Sequence, residues 1–396
     1  MKKRKILVTC AKGIPPFLKQ ELLGQGFPVL SETVAGIETE GTITDAMRLN
    51  LYLRTGHRVL FLLTEFTAAD ADALYRHAVS EVPWEDYIDE NGYFSVASSV
   101  DNPTIRDSRY ANVKCKDAIV DRIRARRGRR PDSGSAQNGV VVNLYWKGDR
   151  CSLYLDTSGE PLSRRNYRKI PMTAPMQETL AAAVIMATGW NGGGHFINPH
   201  GGGHFINPMC GSGTLVIEAA LIALDRAPGL LRTNYGFMHI KGFSEPLWNE
   251  LIAEAEKKSR KTPACRLIAT DIKREAVEAA RKNAAAAGVE HLIEFGVSDY
   301  SGTTVPEGGG IVILNPEYGE RMGKMQELEG VYEGIGDFFK QKCKGYTGYV
   351  FTGNPGLAKK VGLKAKKRTP FFNGGIECRL LEYELYEGSR KNKKDL

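Results

Sequence analysis

The sequence predicts an α/β fold in which a mostly parallel sheet, spanning residues 161–390, follows two smaller α+β units at 1–67 and 68–160. Three observations carry this reading. From about residue 173, short apolar strands alternate with helical stretches, as they do when helices cover both faces of a parallel sheet. The first 67 residues instead run β-α-β-β-α-β. Glycine-rich and Asn-Pro turns then follow the later strands, at the ends where an open α/β sheet binds its ligand.

In the first unit, residues 5–10 form a strand and 16–23 a helix stopped by Gly24 and Gly26. Strands at 28–34 and 37–40 flank Gly36, residues 43–54 are helical, and 58–66 are β-rich, which completes a ferredoxin-like order. In the second unit a helix at 70–82, a strand at 93–100 and a helix at 110–127 precede a hairpin of 140–146 and 150–155 around Gly148-Asp149. Ile119 and Ile123 share one face of the second helix.

The third unit opens with a helix at 175–188. A strand at 204–207 then runs into Cys210-Gly211-Ser212-Gly213-Thr214 and a helix ending at 224. A strand at 266–272 leads to an alanine-rich helix at 274–287 stopped by Gly288. Strands follow at 292–297, 311–314 and 349–352, and 377–386 reads as a long edge strand. The motif Gly-Gly-Gly-His-Phe-Ile-Asn-Pro occurs twice, at 192–199 and 201–208, and only the second copy continues into the glycine turn. That copy is taken as the working strand. His195 and His204 hold equivalent places, but no cysteine or carboxylate accompanies them, so no metal is expected.

The chain has 396 residues, 42% of them apolar and 25% charged, enough for a core in each unit and unlike a disordered or collagen-like chain. No run reaches the ~18 apolar residues of a membrane span, and the apolar stretch after the basic N-terminus is too short for a secretory signal. The seven cysteines form no C-x-x-C pair, which argues against a disulfide framework and a zinc site. A cytoplasmic chain is expected.

Lys and Arg number 54 against 46 Asp and Glu, a net charge of +8, with a pI of about 9.0. Arg122, Arg124, Arg126, Arg127, Arg129 and Arg130 crowd the end of one helix and lead into a flexible loop at 131–135. They also suit the negative end of the helix dipole. Arg164, Arg165 and Arg168 surround Tyr167, a ring able to stack on a base. Guanidinium groups at this density point to phosphate, and hence to a polyanionic partner. The lysine-rich tail at 390–394 reads as a solvated end.

Four features at strand ends carry chemistry. In Asn207-Pro208-Met209-Cys210-Gly211-Ser212-Gly213-Thr214, the two glycines allow a sharp strand-to-helix turn and close approach of a ligand. Asp271, with Ile272 beside it, ends a second strand where a carboxylate can accept from both hydroxyls of a ribose. The expected gap after the glycines is about 20 residues, and the segment 226–264 intervenes, which speaks against a plain dinucleotide site. Asp299 can accept from an adenine amine, or simply close a turn. In Leu314-Asn315-Pro316-Glu317-Tyr318-Gly319, the Asn315 side chain and the Pro316 carbonyl can accept both hydrogens of an exocyclic amine while Tyr318 stacks on its ring.

With these four in order, the chain resembles class I S-adenosylmethionine-dependent RNA methyltransferases carrying an N-terminal THUMP domain, and especially bacterial 23S ribosomal RNA guanine-N2 methyltransferases. The resemblance rests on AMRLNLYLRTGHRV at 46–59, DAIVD at 117–121, DTSGE at 156–160, NPMCGSGTLVIEAA at 207–220 and FNGGIEC at 372–378. It implies a Rossmann-like methyltransferase domain after ferredoxin-like and THUMP domains. It also implies that Asn207, Cys210, Gly211, Ser212, Gly213, Asp271, Ile272 and Asp299 hold S-adenosylmethionine. Asn315, Pro316 and Tyr318 would then form the target-amine site, and the nine arginines would be RNA contacts. Two residues depart from the family pattern. Glu317 replaces the second proline of Asn-Pro-Pro-Tyr, removing rigidity and adding a carboxylate, and Asn207 replaces the usual acid before the glycine turn. Adenine-N6 methylation, a tRNA guanine target and a non-catalytic RNA-binding assembly factor remain open at this point.

Overall fold

Two sheets organise the chain, seen in a computed structural model that describes residues 3–170, 172, 175–193, 202–318 and 325–386. His195 with most of the first repeat copy, Gly319 and the lysine-rich tail lie outside the described residues.

The first sheet begins with β1 (Arg4–Thr9), α1 (Pro15–Gly24), β2 (Ser31–Thr33), β3 (Gly36–Gly41), α2 (Ile43–Tyr52) and β4 (Arg58–Thr67). A capping box starts α2: Asp45 N–H donates to Thr42 Oγ1, and Thr42 N–H donates to the Asp45 carboxylate at 2.7 Å. The chain continues through α3 (Ala71–Glu81), β5 (Tyr93–Asp101), α4 (Ser108–Arg127), β6 (Asp132–Gly134), β7 (Val140–Lys147) and β8 (Arg150–Asp156). The eight strands lie in the order β2-β3-β1-β4-β8-β7-β5-β6. Antiparallel pairing of β4 with β8 therefore makes one sheet of the ferredoxin-like and second units. The loop expected at 131–135 is instead the short strand β6, paired in parallel with β5 at the sheet's edge.

By its internal contacts the chain divides into two compact units. One comprises Met1–Cys10, Leu18–Arg164 and Arg232–Glu254, the other Ala11–Phe17, Arg165–Leu231 and Ala255–Leu396. Within the first, Arg232 donates to the carbonyls of Ser158, Glu160 and Pro161, each at 3.1 Å. The turn after β8 thus finds its donors in a segment distant in sequence.

The chain continues through α5 (Glu178–Thr188), β9 (His204–Pro208), α6 (Thr214–Ala223), α7 (Glu245–Lys258, which as far as Glu254 belongs to the first unit), β10 (Leu267–Asp271), α8 (Arg274–Ala286) and β11 (Ile293–Val297). Then come β12 (Gly310–Leu314), α9 (Met325–Lys342), β13 (Tyr346–Thr352), α10 (Pro355–Lys360), β14 (Lys367–Asn373) and β15 (Ile376–Glu384). The second sheet has the order β11-β10-β9-β12-β13-β15-β14, parallel from β11 to β13. β15 runs antiparallel to both of its neighbours. The strand expected at the edge, 377–386, is therefore internal. The edge belongs to β14, whose lysine, arginine and Pro370 suit an unpaired border. Helix α9 packs Tyr332, Ile335, Phe338 and Phe339 against Val312, Leu314 and Val350 of the sheet.

Helix α6 carries one charged residue, Glu218, which is fully buried. Arg165, only 1% exposed, meets it with Nη1 at 2.7 Å from Oε2, and the Tyr167 hydroxyl donates to Oε1 at 2.9 Å. Arg168 is held by Glu178 and by the Met176 carbonyl. Arg165 and Tyr167 are thus corrected from RNA contacts to core residues, and Arg168 to a partly buried partner of Glu178, because a buried carboxylate demands a paired cation. Replacing Arg165 by Met strands Glu218. It should lower stability by about 3–5 kcal/mol, read as an earlier urea transition, whereas a surface RNA contact would leave that transition in place.

Candidate active site

Strand β9 lies between β10 and β12, so the chain departs from it in opposite directions along the sheet. This switch of direction opens a crevice at the carboxyl ends of the strands. The turn leaving β9 carries Gly211 at φ +52° and Gly213 at φ +86°, both in the left-handed region. A Cβ on Gly213 would stand 2.9 Å from that of Ala280, whereas one on Gly211 would meet nothing within 4 Å. One glycine packs the turn onto α8, and the other leaves its backbone open to a ligand. Gly213 gives α6 no side-chain cap, so the first amides of the helix are available as donors.

Side chains and backbone pin this turn. Cys210 N–H donates to Thr270 O, and Gly211 N–H to Asp271 Oδ2, both at 2.9 Å. Asn283 of α8 donates to Ser212 O at 3.0 Å while its Oδ1 accepts from the amides of Lys169 and Ile170. The Cys210 thiol is buried, and burial, followed by the charge of Asp271, raises its pKa. It is a neutral wall of the turn and not a nucleophile.

Asp271 also accepts from Lys273 N–H through Oδ1, so both carboxylate oxygens already receive one donor and each keeps a lone pair. Beside it Ile272 is 67% exposed and Val297, level with Asp271 across the β10–β11 register, is 50% exposed. A carboxylate next to two bare aliphatic side chains suits a ribose with its flat base. Asp299 closes a turn, its Oδ1 accepting from the Ser301 amide at 2.9 Å and hydroxyl at 2.6 Å. Its Oδ2 has no hydrogen-bond partner among the described residues.

Asn207 is fully buried and points along the sheet: Nδ2 donates to Ile313 O of β12 at 2.9 Å. The Oδ1 atoms of Asn207 and Asn315 are both buried with no hydrogen-bond partner among the described residues. Such orphaned acceptors cost stability unless a ligand donates to them. Tyr318 lies with its ring edge over Gly353, where a Cβ would be 3.0 Å away. Its hydroxyl accepts from Asn373 Nδ2 at 2.9 Å, and burial pushes its pKa up to about 12. Tyr332 of α9 reaches Glu317 O at 3.5 Å and shares a 2.7 Å hydrogen bond with Thr352. The exposed Glu317 carboxylate stands 3.9 Å from Lys273 Nζ, which brings the Asn315 turn up to the Asp271 corner.

The remaining expected contacts divide. Arg122 is corrected: its guanidinium forks onto Glu85 at 3.0 and 3.1 Å and donates to Val79 O at 2.8 Å, a partly buried brace between α4 and its neighbours. Arg124, Arg126, Arg127 and Arg130 are exposed, Arg129 is exposed beside Asn91, and Arg164 is exposed beside Glu160. His204 accepts from Arg266 N–H at Nδ1, so Nε2 carries the proton toward Glu307 O. Among the described residues no group of three or more His, Cys, Asp or Glu is placed to hold a metal ion, and no helix is long and apolar enough to cross a membrane. Asn283, Tyr332 and Asn373 support the site although no sequence signal marks them for it. Of these only Asn373 lies inside a motif of the resemblance, FNGGIEC, to which no role attaches.

Three family models match in succession: the RlmL ferredoxin-like domain over residues 5–60, the THUMP domain over 68–156 and the RMKL-like methyltransferase domain over 165–382. A ribosomal RNA large subunit methyltransferase K/L of Syntrophotalea carbinolica is 39% identical over 97% of the chain, and the chain covers 54% of that protein. A second K/L protein, from Psychromonas ingrahamii, is covered to 50%, so the chain spans about half the length of these relatives. A Synechocystis protein named "Putative RNA methyltransferase" is 33% identical over 97% of both chains. Among solved structures, "a putative methyltransferase complexed with SAH" superposes with a TM-score of 0.87 at 25% identity, covering 98% of this chain and all of that one. The strand order, the glycine turn and these matches agree, and the chain belongs to the RMKL-like methyltransferase family, with RlmL ferredoxin-like and THUMP domains preceding its methyltransferase domain.

Proposed function

We propose that the chain is an RNA methyltransferase that moves a methyl group from S-adenosylmethionine to the N2 amine of a guanine in 23S ribosomal RNA. The observation that carries this reading is the orphaned Asn315 Oδ1, a buried acceptor in a turn that meets the Asp271 corner. The K/L relatives support ribosomal RNA, the THUMP match supports RNA, and the SAH-bound neighbour supports the cofactor.

Gly211, Ser212 and Gly213 would receive the methionine end of the cofactor, with Cys210 walling the turn and Asn207 Oδ1 free for a donor. Asp271 would accept from the ribose, Ile272 would cover one face of the adenine, and Asp299 Oδ2 would meet its amine. Bound there, S-adenosylmethionine supplies a methyl group activated by a positively charged sulfur.

The chain's own task is to present the nucleophile. An amine on a purine ring is a weak one, since its lone pair is shared with the ring. Asn315 Oδ1 and the Pro316 carbonyl accept its two hydrogens, drawing the nitrogen toward tetrahedral geometry and freeing that pair. Tyr318 stacks on the base, which must be unpaired or flipped out to reach this depth. Its phenol stays protonated at neutral pH and takes no proton from the amine, so the proton shed by the methylated nitrogen would pass to solvent, with S-adenosylhomocysteine as the leaving group. The rate then comes from alignment and from fixed dipoles facing the charge that develops on nitrogen.

Asn315→Ala should reduce methyl transfer by about 10²–10³-fold while RNA affinity and thermal stability hold, measured by labelled-methyl incorporation, filter binding and melting. Near-normal turnover in that variant would refute the acceptor role. Nucleoside mass spectrometry of the product decides the base: N2-methylguanosine supports this reading, and N6-methyladenosine the adenine alternative. Arg126→Ala combined with Arg127→Ala should weaken RNA binding across sequences and flatten the log–log salt dependence by roughly 0.7–0.9 for each phosphate left unneutralised.

A further inference from the structure

The motif FNGGIEC at 372–378 has no part in the chemistry above, yet the fold brings it to the target turn. It forms the tip of the hairpin between β14 and β15, with Asn373 and Ile376 as the last paired residues before Gly374-Gly375. From that tip Asn373 Nδ2 reaches the Tyr318 hydroxyl at 2.9 Å, across 55 residues of sequence. Cys378, fully buried on the same hairpin, places Sγ 3.7 Å from the same oxygen. Gly353 leaves out the side chain that would collide with ring atoms Cδ2 and Cε2 at 3.0 Å.

We infer that Asn373 is a positioning residue for methyl transfer: by holding the Tyr318 hydroxyl it fixes the plane of the ring on which the target base stacks. The inference rests on the proposed role of Tyr318 and adds to it a reason for tyrosine at this place. A phenylalanine would stack as well, but its ring has no atom for the hairpin to grip. Gly353 alone lets the ring slide and swing within its slot. With the hydroxyl tied to a sheet edge, the ring has a defined tilt, and so does the amine of any base lying on it. In-line transfer is sensitive to such errors, since a displacement of about 1 Å costs on the order of 100-fold in rate. Asn373 touches neither base nor cofactor in this scheme and acts only through the phenol.

A double-mutant cycle on the full chain tests this. Asn373→Ala and Tyr318→Phe are each made alone and together, with melting temperature followed for all three. Single turnover on ribosomal RNA and quenching of 2-aminopurine at the target position of an RNA probe are both measured. Each single variant should lose about 10–100-fold in kcat with KM for RNA and cofactor within about twofold, and should quench less. The double variant should be no worse than Tyr318→Phe, because without the hydroxyl Asn373 has nothing to hold. Losses that multiply in the double variant, or an Asn373→Ala enzyme with wild-type kcat and quenching, overturn the inference while leaving the proposed function standing. A loss confined to melting temperature assigns Asn373 to hairpin stability and likewise overturns it. A wild-type chain that neither methylates RNA nor quenches the probe removes the reading of Tyr318 and the inference with it.

Discussion

The candidate site depends on the position of β9 between two parallel neighbours. Every strand that ends there leaves backbone and side-chain polar groups facing one crevice, and these must be paired or offered to a ligand. The structure pairs just enough of them to fix the geometry. Cys210 and Gly211 donate to β10 and its terminal aspartate, Asn207 donates to β12, and Asn283 ties the glycine turn to the amides of Lys169 and Ile170. The acceptors left over, Oδ1 of Asn207 and of Asn315, are the ones a cofactor and an amine would satisfy. Rigidity and unmet demand thus arise in the same few residues.

Much of this was legible in the sequence because it is local. The ferredoxin-like order, the α3-to-β8 succession and the strand–glycine–helix unit appeared within a few residues of expectation, since apolar periodicity and turn residues mark them directly. The supporting residues were not legible for the opposite reason. Asn283 sits in an alanine-rich helix where an asparagine looks incidental, and its partners are more than 70 residues away. Helix α9 is hidden in the sequence because Gly330, Gly334 and Gly336 interrupt its propensity. Packing accounts for a glycine there: at Gly336 a Cβ would stand 1.9 Å from Val361 O, so the missing side chain is what lets α9 seat.

The arginines show how far charge counting reaches. Nine were grouped by proximity in sequence, but guanidinium groups are placed by the carboxylates the fold supplies. Glu218, the single charge on α6, Glu178 at the start of α5 and Glu85 beside α4 each recruit one. What remains exposed for a phosphate backbone is the end of α4 and the residues just after it, and Arg164. This is a smaller and more definite surface than the sequence suggested. A buried carboxylate is the feature to look for first, since it predicts which neighbouring cation the core will consume.

Glu317 is the residue most at odds with the family pattern, and the loss of a proline there implies a looser turn. The contacts around it argue otherwise. Its carbonyl meets the Tyr332 hydroxyl, itself bonded to Thr352, and the next residue is held at its far end by Asn373. The Glu317 side chain turns outward to Lys273, and an exposed pair of this kind contributes only about 0–1 kcal/mol. Proline would restrict the turn through its own φ angle, whereas here the Tyr332 hydroxyl and the Asn373 amide restrict it from outside. The turn at Glu317 is therefore held from α9 and from the β14–β15 hairpin, by residues distant from it in sequence.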